Sequence, residues 1–143
     1  MSKETNIQAN VKVETQAIKN VTTISELKKN SAPTLVAISD FYGEGEIYME
    51  LKPASVMELA AKGTLPNELL GAVTSLFNKG LGSEVELKKK YEAMREIARS
   101  VMASPTLEDL EKEDIKLTDK QLTEIYIFAM NGVKSLKAFR QVN

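Results

Sequence analysis

The stretch LKPASVMELAAKGTLPNELLGAVTSLFNKG, Leu51 to Gly80, decides the fold, because it carries the chain from a strand end through a proline into two capped helices. Pro53 has no amide to give to a sheet ladder and ends the strand. Ser55 and Glu58 then stand at capping-box spacing, which starts a short helix over 56–62 that Gly63 stops. Pro66 sits where the first residue of a helix belongs, and Leu65, Leu69, Val73, Leu76 and Phe77 recur at three- and four-residue steps until Gly80. The stretch is a packing unit and holds nothing resembling a catalytic centre.

Upstream, TLVAIS (Thr34 to Ser39) is rich in β-formers, and EIYMELK (Glu46 to Lys52) alternates, with Ile47, Met49 and Leu51 on one face and Tyr48 and Glu50 on the other. Gly43-Glu44-Gly45 between them supplies the positive φ angles of a tight reversal, so the two runs form a β-hairpin. Two strands alone are marginal in water, and helices must cover the apolar face. Residues 1–33 are polar with widely spaced Ile and Val, and they read as a flexible N-terminal segment with one helical turn around Ser25 to Lys29. Residues 34–143 then make a single domain.

Downstream, Ser83 with Glu86 has the spacing of another capping box. Leu87, Tyr91, Met94, Ala98 and Val101 follow at alternating steps of four and three, a narrow apolar seam on a helix that Pro105 terminates. The acid-rich run from Glu108 to Asp114 reads as a loop or weak turn anchored by Leu107, Leu110, Ile115 and Leu117. Thr118 with Gln121 opens a further helix carrying Leu122, Ile125, Tyr126, Ala129 and Val133 inward, with Gly132 kinking it or splitting off a last helix that holds Leu136 and Phe139. The fold class is therefore α+β, mainly α, with an N-terminal antiparallel β-hairpin packed on a four- to five-helix cluster.

Composition narrows the chemistry. The chain has 143 residues, 43% of them hydrophobic, enough for one core. Nineteen basic residues against twenty acidic leave a net charge of −1, so no global field draws it to nucleic acid or anionic lipid, and neither is expected as a partner. Cysteine and histidine are both absent, which removes Ser-His-Asp and Cys-His catalysis, the usual zinc ligands and the commonest general base near neutral pH. No enzyme, metal or cofactor is expected. The polar N-terminus lacks the apolar core of a signal peptide, and Lys62, Glu68 and Lys79 bracket the longest apolar run, so a cytoplasmic chain is expected.

Three groups invite a sharper reading. Asp40, Glu44, Glu46 and Glu50 surround the hairpin, where paired carboxylates serve acid-base or metal chemistry, but their spacing matches no calcium loop and solvation of a turn is the better account. Lys88, Lys89, Lys90, Arg95 and Arg99 interleave with Glu84, Glu86, Glu92 and Glu96, so their field largely cancels, while Lys134, Lys137 and Arg140 sit near a chain end where positive charge favours the helix dipole. The seam from Leu87 to Val101 either packs inside the bundle or takes up a helix from another chain, which includes a second copy in a homo-oligomer.

LKPASVMELAAKGTLPNELL with the following LFNKG, and later LTDKQLTEIYIFAMNGVKSLKAFR, resemble the small cytoplasmic tail assembly chaperones of phages and prophages of Gram-positive bacteria. In that family a basic-Pro-Ser start precedes a segment of the form LA..G.IPN.LL, and a C-terminal element reads LTDEQL followed by GV..L..FR. The similarity covers about residues 46–80 and 117–140. It departs from the pattern at Thr64-Leu65 and at Tyr126-Ile127-Phe128. The resemblance implies a non-enzymatic role in the host cytoplasm: covering the tape measure protein, and in a wider form of the role the tail tube protein, before tail polymerisation. It further implies that Leu87, Tyr91, Met94 and Val101 of the seam, with Leu122, Tyr126 and Phe139, offer that cover. A virion structural tail or head-tail adaptor protein, and a small nucleic-acid-binding regulator, are the alternative classes.

Overall fold

The computed structural model describes residues 19–63 and 65–132. The chain divides into two compact units between Ala32 and Pro33. In the first, Thr23 opens helix α1 (Ile24–Asn30) with a full capping box, its hydroxyl accepting from the Glu26 amide at 3.1 Å while the Glu26 carboxylate accepts from the Thr23 amide at 2.9 Å. The bond from the Thr23 amide, and a second donated by the Thr23 hydroxyl to the same carboxylate, hold the Glu26 carboxyl below the usual glutamate range. The expected single turn is thus a capped seven-residue helix with no buried residue. The expectation of flexibility for residues 1–18 lies outside the described residues.

The second unit is α+β and mainly helical. Strands β1 (Thr34–Ser39) and β2 (Glu46–Leu51) form the expected antiparallel hairpin, with Val36 opposite Met49 and Ile38 opposite Ile47. The Asp40 carboxylate closes the turn by accepting from the amides of Tyr42, Glu44 and Gly45 at 3.0, 3.1 and 2.9 Å. Gly43 alone of the two turn glycines needs its freedom in φ, at +75°, whereas a Cβ on Gly45 would stand 3.0 Å from Asp40 Oδ2.

Helices α2 (Val56–Ala61) and α3 (Asn67–Lys79) follow, with the Ser55 hydroxyl accepting from the Glu58 amide at 3.2 Å and Pro66 standing one place outside its helix as N-cap. A 3₁₀ turn (Gly80–Gly82) leads to α4 (Leu87–Val101). The Ser83–Glu86 capping box does not form. Ser83 is taken up as the C-cap of the 3₁₀ turn, its hydroxyl is buried without a partner among the described residues, and α4 starts behind Glu86 with no side-chain cap.

Pro105 does not mark the end of α4, because the helix stops at Val101 and Met102–Ser104 becomes a third strand, β3. It joins the far side of β2 through Glu50–Ser104 and Leu51–Met102, with a register irregularity between them, and the sheet order is β1-β2-β3. The Lys52 amide donating to the Val101 carbonyl at 2.8 Å starts that pairing. Buried backbone groups require partners, and β2's open side supplies them for a segment that helical periodicity alone would have extended.

The acid-rich run is a helix too, α5 (Leu107–Lys112), started by a capping box of Thr106 and Asp109. Leu107 and Leu110 are buried beneath it. Arg99 on α4 holds its outer side, with Nη2 2.9 Å from Glu111 and Nη1 bonded to Glu108, and Arg95 reaches Glu111 at 2.6 Å. Helix α6 (Asp119–Asn131) begins at the predicted Thr118–Gln121 box and ends at Gly132, whose φ is +80°. The expectations for Val133, Leu136 and Phe139 lie outside the described residues.

One core joins these elements. Val36, Ile38, Met49 and Leu51 from the sheet meet Val73 and Leu76 of α3, Ile97 and Val101 of α4, and Leu122 and Ile125 of α6. Helix α4 packs against both α3 and α6. Each fully buried aliphatic side chain here contributes roughly 1.5–3 kcal/mol. Among the described residues no helix is long and apolar enough to cross a membrane.

Candidate functional site

Where α4 begins, its apolar stripe runs past the core. Met94, Ile97, Ala98 and Val101 are buried, but Leu87 is 78% exposed and Tyr91 39% exposed. The start of α6 lies beside them and the 3₁₀ turn closes the end, leaving an open cleft of about 620 Å³. The buried Met94 and Leu122 form its floor and the exposed Leu81, Leu87 and Tyr91 its mouth, and Lys88, Lys90 and Asp119 also line it.

The walls are held in place by specific bonds. Lys90 Nζ donates to the Leu81 carbonyl at 2.9 Å, which ties the 3₁₀ turn to α4. The Arg95 guanidinium lies 5.9 Å from the Tyr91 ring centroid while its Nη2 pairs with Glu111, so one face of the ring is engaged by a cation that is itself anchored. Two exposed Leu side chains and an exposed Tyr within one cleft make a surface that water solvates poorly and a helix stripe fits well.

Of the seven candidate residues, Leu87, Tyr91, Met94 and Leu122 converge on this cleft. Val101 and Tyr126 lie inside the core. The Tyr126 hydroxyl donates to the Leu76 carbonyl, joining α6 to α3, and burial raises its pKa above the usual tyrosine value. Phe139 lies outside the described residues. Leu81 belongs to the site although sequence periodicity missed it. A lone Leu between Gly80 and Gly82 has no helical or strand rhythm to mark it.

A second, larger cleft of about 740 Å³ lies between the α2–α3 connection and α4. Its charged groups largely satisfy one another: Lys62 is 3.2 Å from Glu58, and Arg99 Nε is 3.2 Å from Glu96. The hydrogen bond to Glu111, ahead of those to Glu108 and Glu96, raises Arg99 above its ordinary pKa. The hairpin carboxylates do not gather either. Asp40 is committed to turn amides, Glu46 accepts from the Tyr48 hydroxyl at 3.4 Å, and among the described residues no three acids cluster as a cation site. Compared with family models, with curated proteins and with solved structures, the chain matches none of them.

Proposed function

We propose that the protein is a phage tail assembly chaperone, acting without catalysis in the cytoplasm of the bacterial host and covering apolar helical surface of the tape measure protein before the tail polymerises. The observation that carries this reading is the cleft between α4 and α6, where Leu87, Tyr91 and Leu81 stay in water above a floor of Met94 and Leu122. A tape measure protein presents long apolar helix faces until the tube encloses them, and a helix stripe of that kind would bury the exposed Leu87 and Tyr91 side chains. The lining carries both signs, Lys88 and Lys90 with Asp119, which suits an amphipathic helix with mixed charge on its polar flanks.

Co-expression with a siphophage tape measure protein is the test, taken from the neighbouring reading frames when one is encoded there. The expected result is a soluble complex that survives size exclusion, with the tape measure protein insoluble when expressed alone. A tape measure protein that stays soluble alone, or no complex at micromolar concentration, refutes the proposal, and recovery of the chain in purified particles replaces it with a virion structural role.

A further inference from the structure

The outer edge of β1 carries the inference. In an antiparallel pair, residues alternate between those that bond the partner strand and those whose amide and carbonyl point away. The Asp40 amide bonds the Gly45 carbonyl at 3.0 Å, which fixes the phase: Ile38, Val36 and Thr34 face β2, and Ser39, Ala37 and Leu35 face outward. At Ser39 that edge is already occupied by α6, since Glu124 accepts from its amide at 2.7 Å and Gln121 Nε2 donates to its carbonyl at 3.0 Å. At the other end Pro33 has no amide. Between them Leu35 and Ala37 have no hydrogen-bond partner on the outer side among the described residues, and Leu35 is 65% exposed.

Natural edges are normally blunted by charge, proline or a bulge. Residues 34–39 contain none of these.

We propose that β1 pairs antiparallel with β1 of a second copy about a two-fold axis at Val36, joining two three-stranded sheets into one. In this register Leu35 exchanges two hydrogen bonds with Ala37 of the other copy, and Ala37 does the same with Leu35. The register explains the boundaries of the free edge as well as its centre. Pro33, which lacks an amide, falls opposite Ser39, whose amide and carbonyl are already taken, so the ladder ends there in both copies and the Pro33 carbonyl is left to water. On the outer face Tyr48 lies beside Ala37 within one subunit, and Ala37 lies beside Leu35 of the other. Two apolar rows of Tyr48, Ala37 and Leu35 result, related by symmetry. No charged residue of β1 meets its own copy.

A strand pair this short buries less than the roughly 1,200 Å² of a standard interface, so the dimer is weak, dissociating on the order of tens to hundreds of micromolar. Sedimentation of the full chain up to about 1 mM, together with amide exchange at rising concentration, tests it. Expected are a monomer-dimer equilibrium and protection of the Leu35 and Ala37 amides that grows with concentration. Ala37→Pro removes an amide that β2 does not use, and Leu35→Lys places its ammonium beside Glu50 of the same sheet, so both variants keep the fold, checked by circular dichroism. Ala37→Pro deletes two of the four intermolecular bonds and weakens association by roughly tenfold or more, and Leu35→Lys weakens it likewise. A chain monomeric throughout the range, folded variants that associate like the parent, or protection that grows elsewhere instead, each overturns the proposal.

Discussion

Helix α4 carries two kinds of apolar residue on one stripe, and truncating one of each separates packing from docking. Ile97 is fully buried in the shared core that also holds Val36, Leu76 and Ile125. Ile97→Ala removes three carbons from a close-packed interior, and both the lost transfer energy and the cavity count, for about 2–5 kcal/mol. In a domain of this size that lowers the melting midpoint by on the order of 10 °C. Leu87 is 78% exposed, so Leu87→Ala forfeits little folded-state burial and should move stability by less than about 0.5 kcal/mol. Full burial of a Leu side chain is worth roughly 1.5–3 kcal/mol, and most of that remains to be gained at Leu87. Loss of the side chain should therefore weaken a helical partner by about 1–2 kcal/mol, or roughly 5- to 30-fold. Urea titration followed by circular dichroism reads the first effect, and calorimetric titration with a tape measure segment reads the second. A Leu87→Ala variant that unfolds as readily as Ile97→Ala, or one that binds with unchanged affinity, would refute the division of the stripe.

Three further outcomes follow from local chemistry. Gly43→Ala forces a Cβ into a φ of +75° and should cost about 1–2 kcal/mol in a denaturant titration, although nothing crowds the position sterically. Thr106→Ala removes the hydroxyl that accepts from the Asp109 amide and should cost about 0.5–2 kcal/mol, with Thr106→Ser recovering most of it. Acid should loosen α5. The hydrogen bond from Arg99 lowers the Glu111 carboxyl below its ordinary value of 4.5, and the backbone bond from Thr106 lowers that of Asp109 below 3.8. Because both titrate lower folded than unfolded, their stabilisation is complete above those ordinary values and is lost as pH falls through the folded ones. Amide exchange in 107–112 should accelerate there, and Glu111→Gln should flatten the dependence.

Where one periodicity governed a segment, the sequence read true. The alternation of Ile47, Met49 and Leu51, the turn glycine Gly43, and the Thr118–Gln121 box gave the hairpin and the start of α6 from local rules alone. Met102 to Ser104 defeated such reading because its conformation depends on an unpaired edge of β2 some fifty residues earlier, which no local rhythm encodes. Leu107 to Lys112 was obscured by its charge, since Arg95 and Arg99 neutralise the acids only after folding brings α4 alongside. The cleft was half legible. Helical spacing found Leu87, Tyr91, Met94 and Leu122, but it assigned Val101 and Tyr126 to the same surface because a stripe says which face is apolar and not how far along the helix a neighbour extends.

The bonds that fasten Ser39 to Gln121 and Glu124 bridge more than eighty positions of chain, and this separation orders the events of folding. A hairpin closes in microseconds, yet the last residue of its first strand must wait, solvated, for a helix made from the far end of the domain. Pairing so distant in sequence slows the search. The Ser39 amide should therefore exchange only on global unfolding, a clock for the whole domain rather than for the hairpin that contains it.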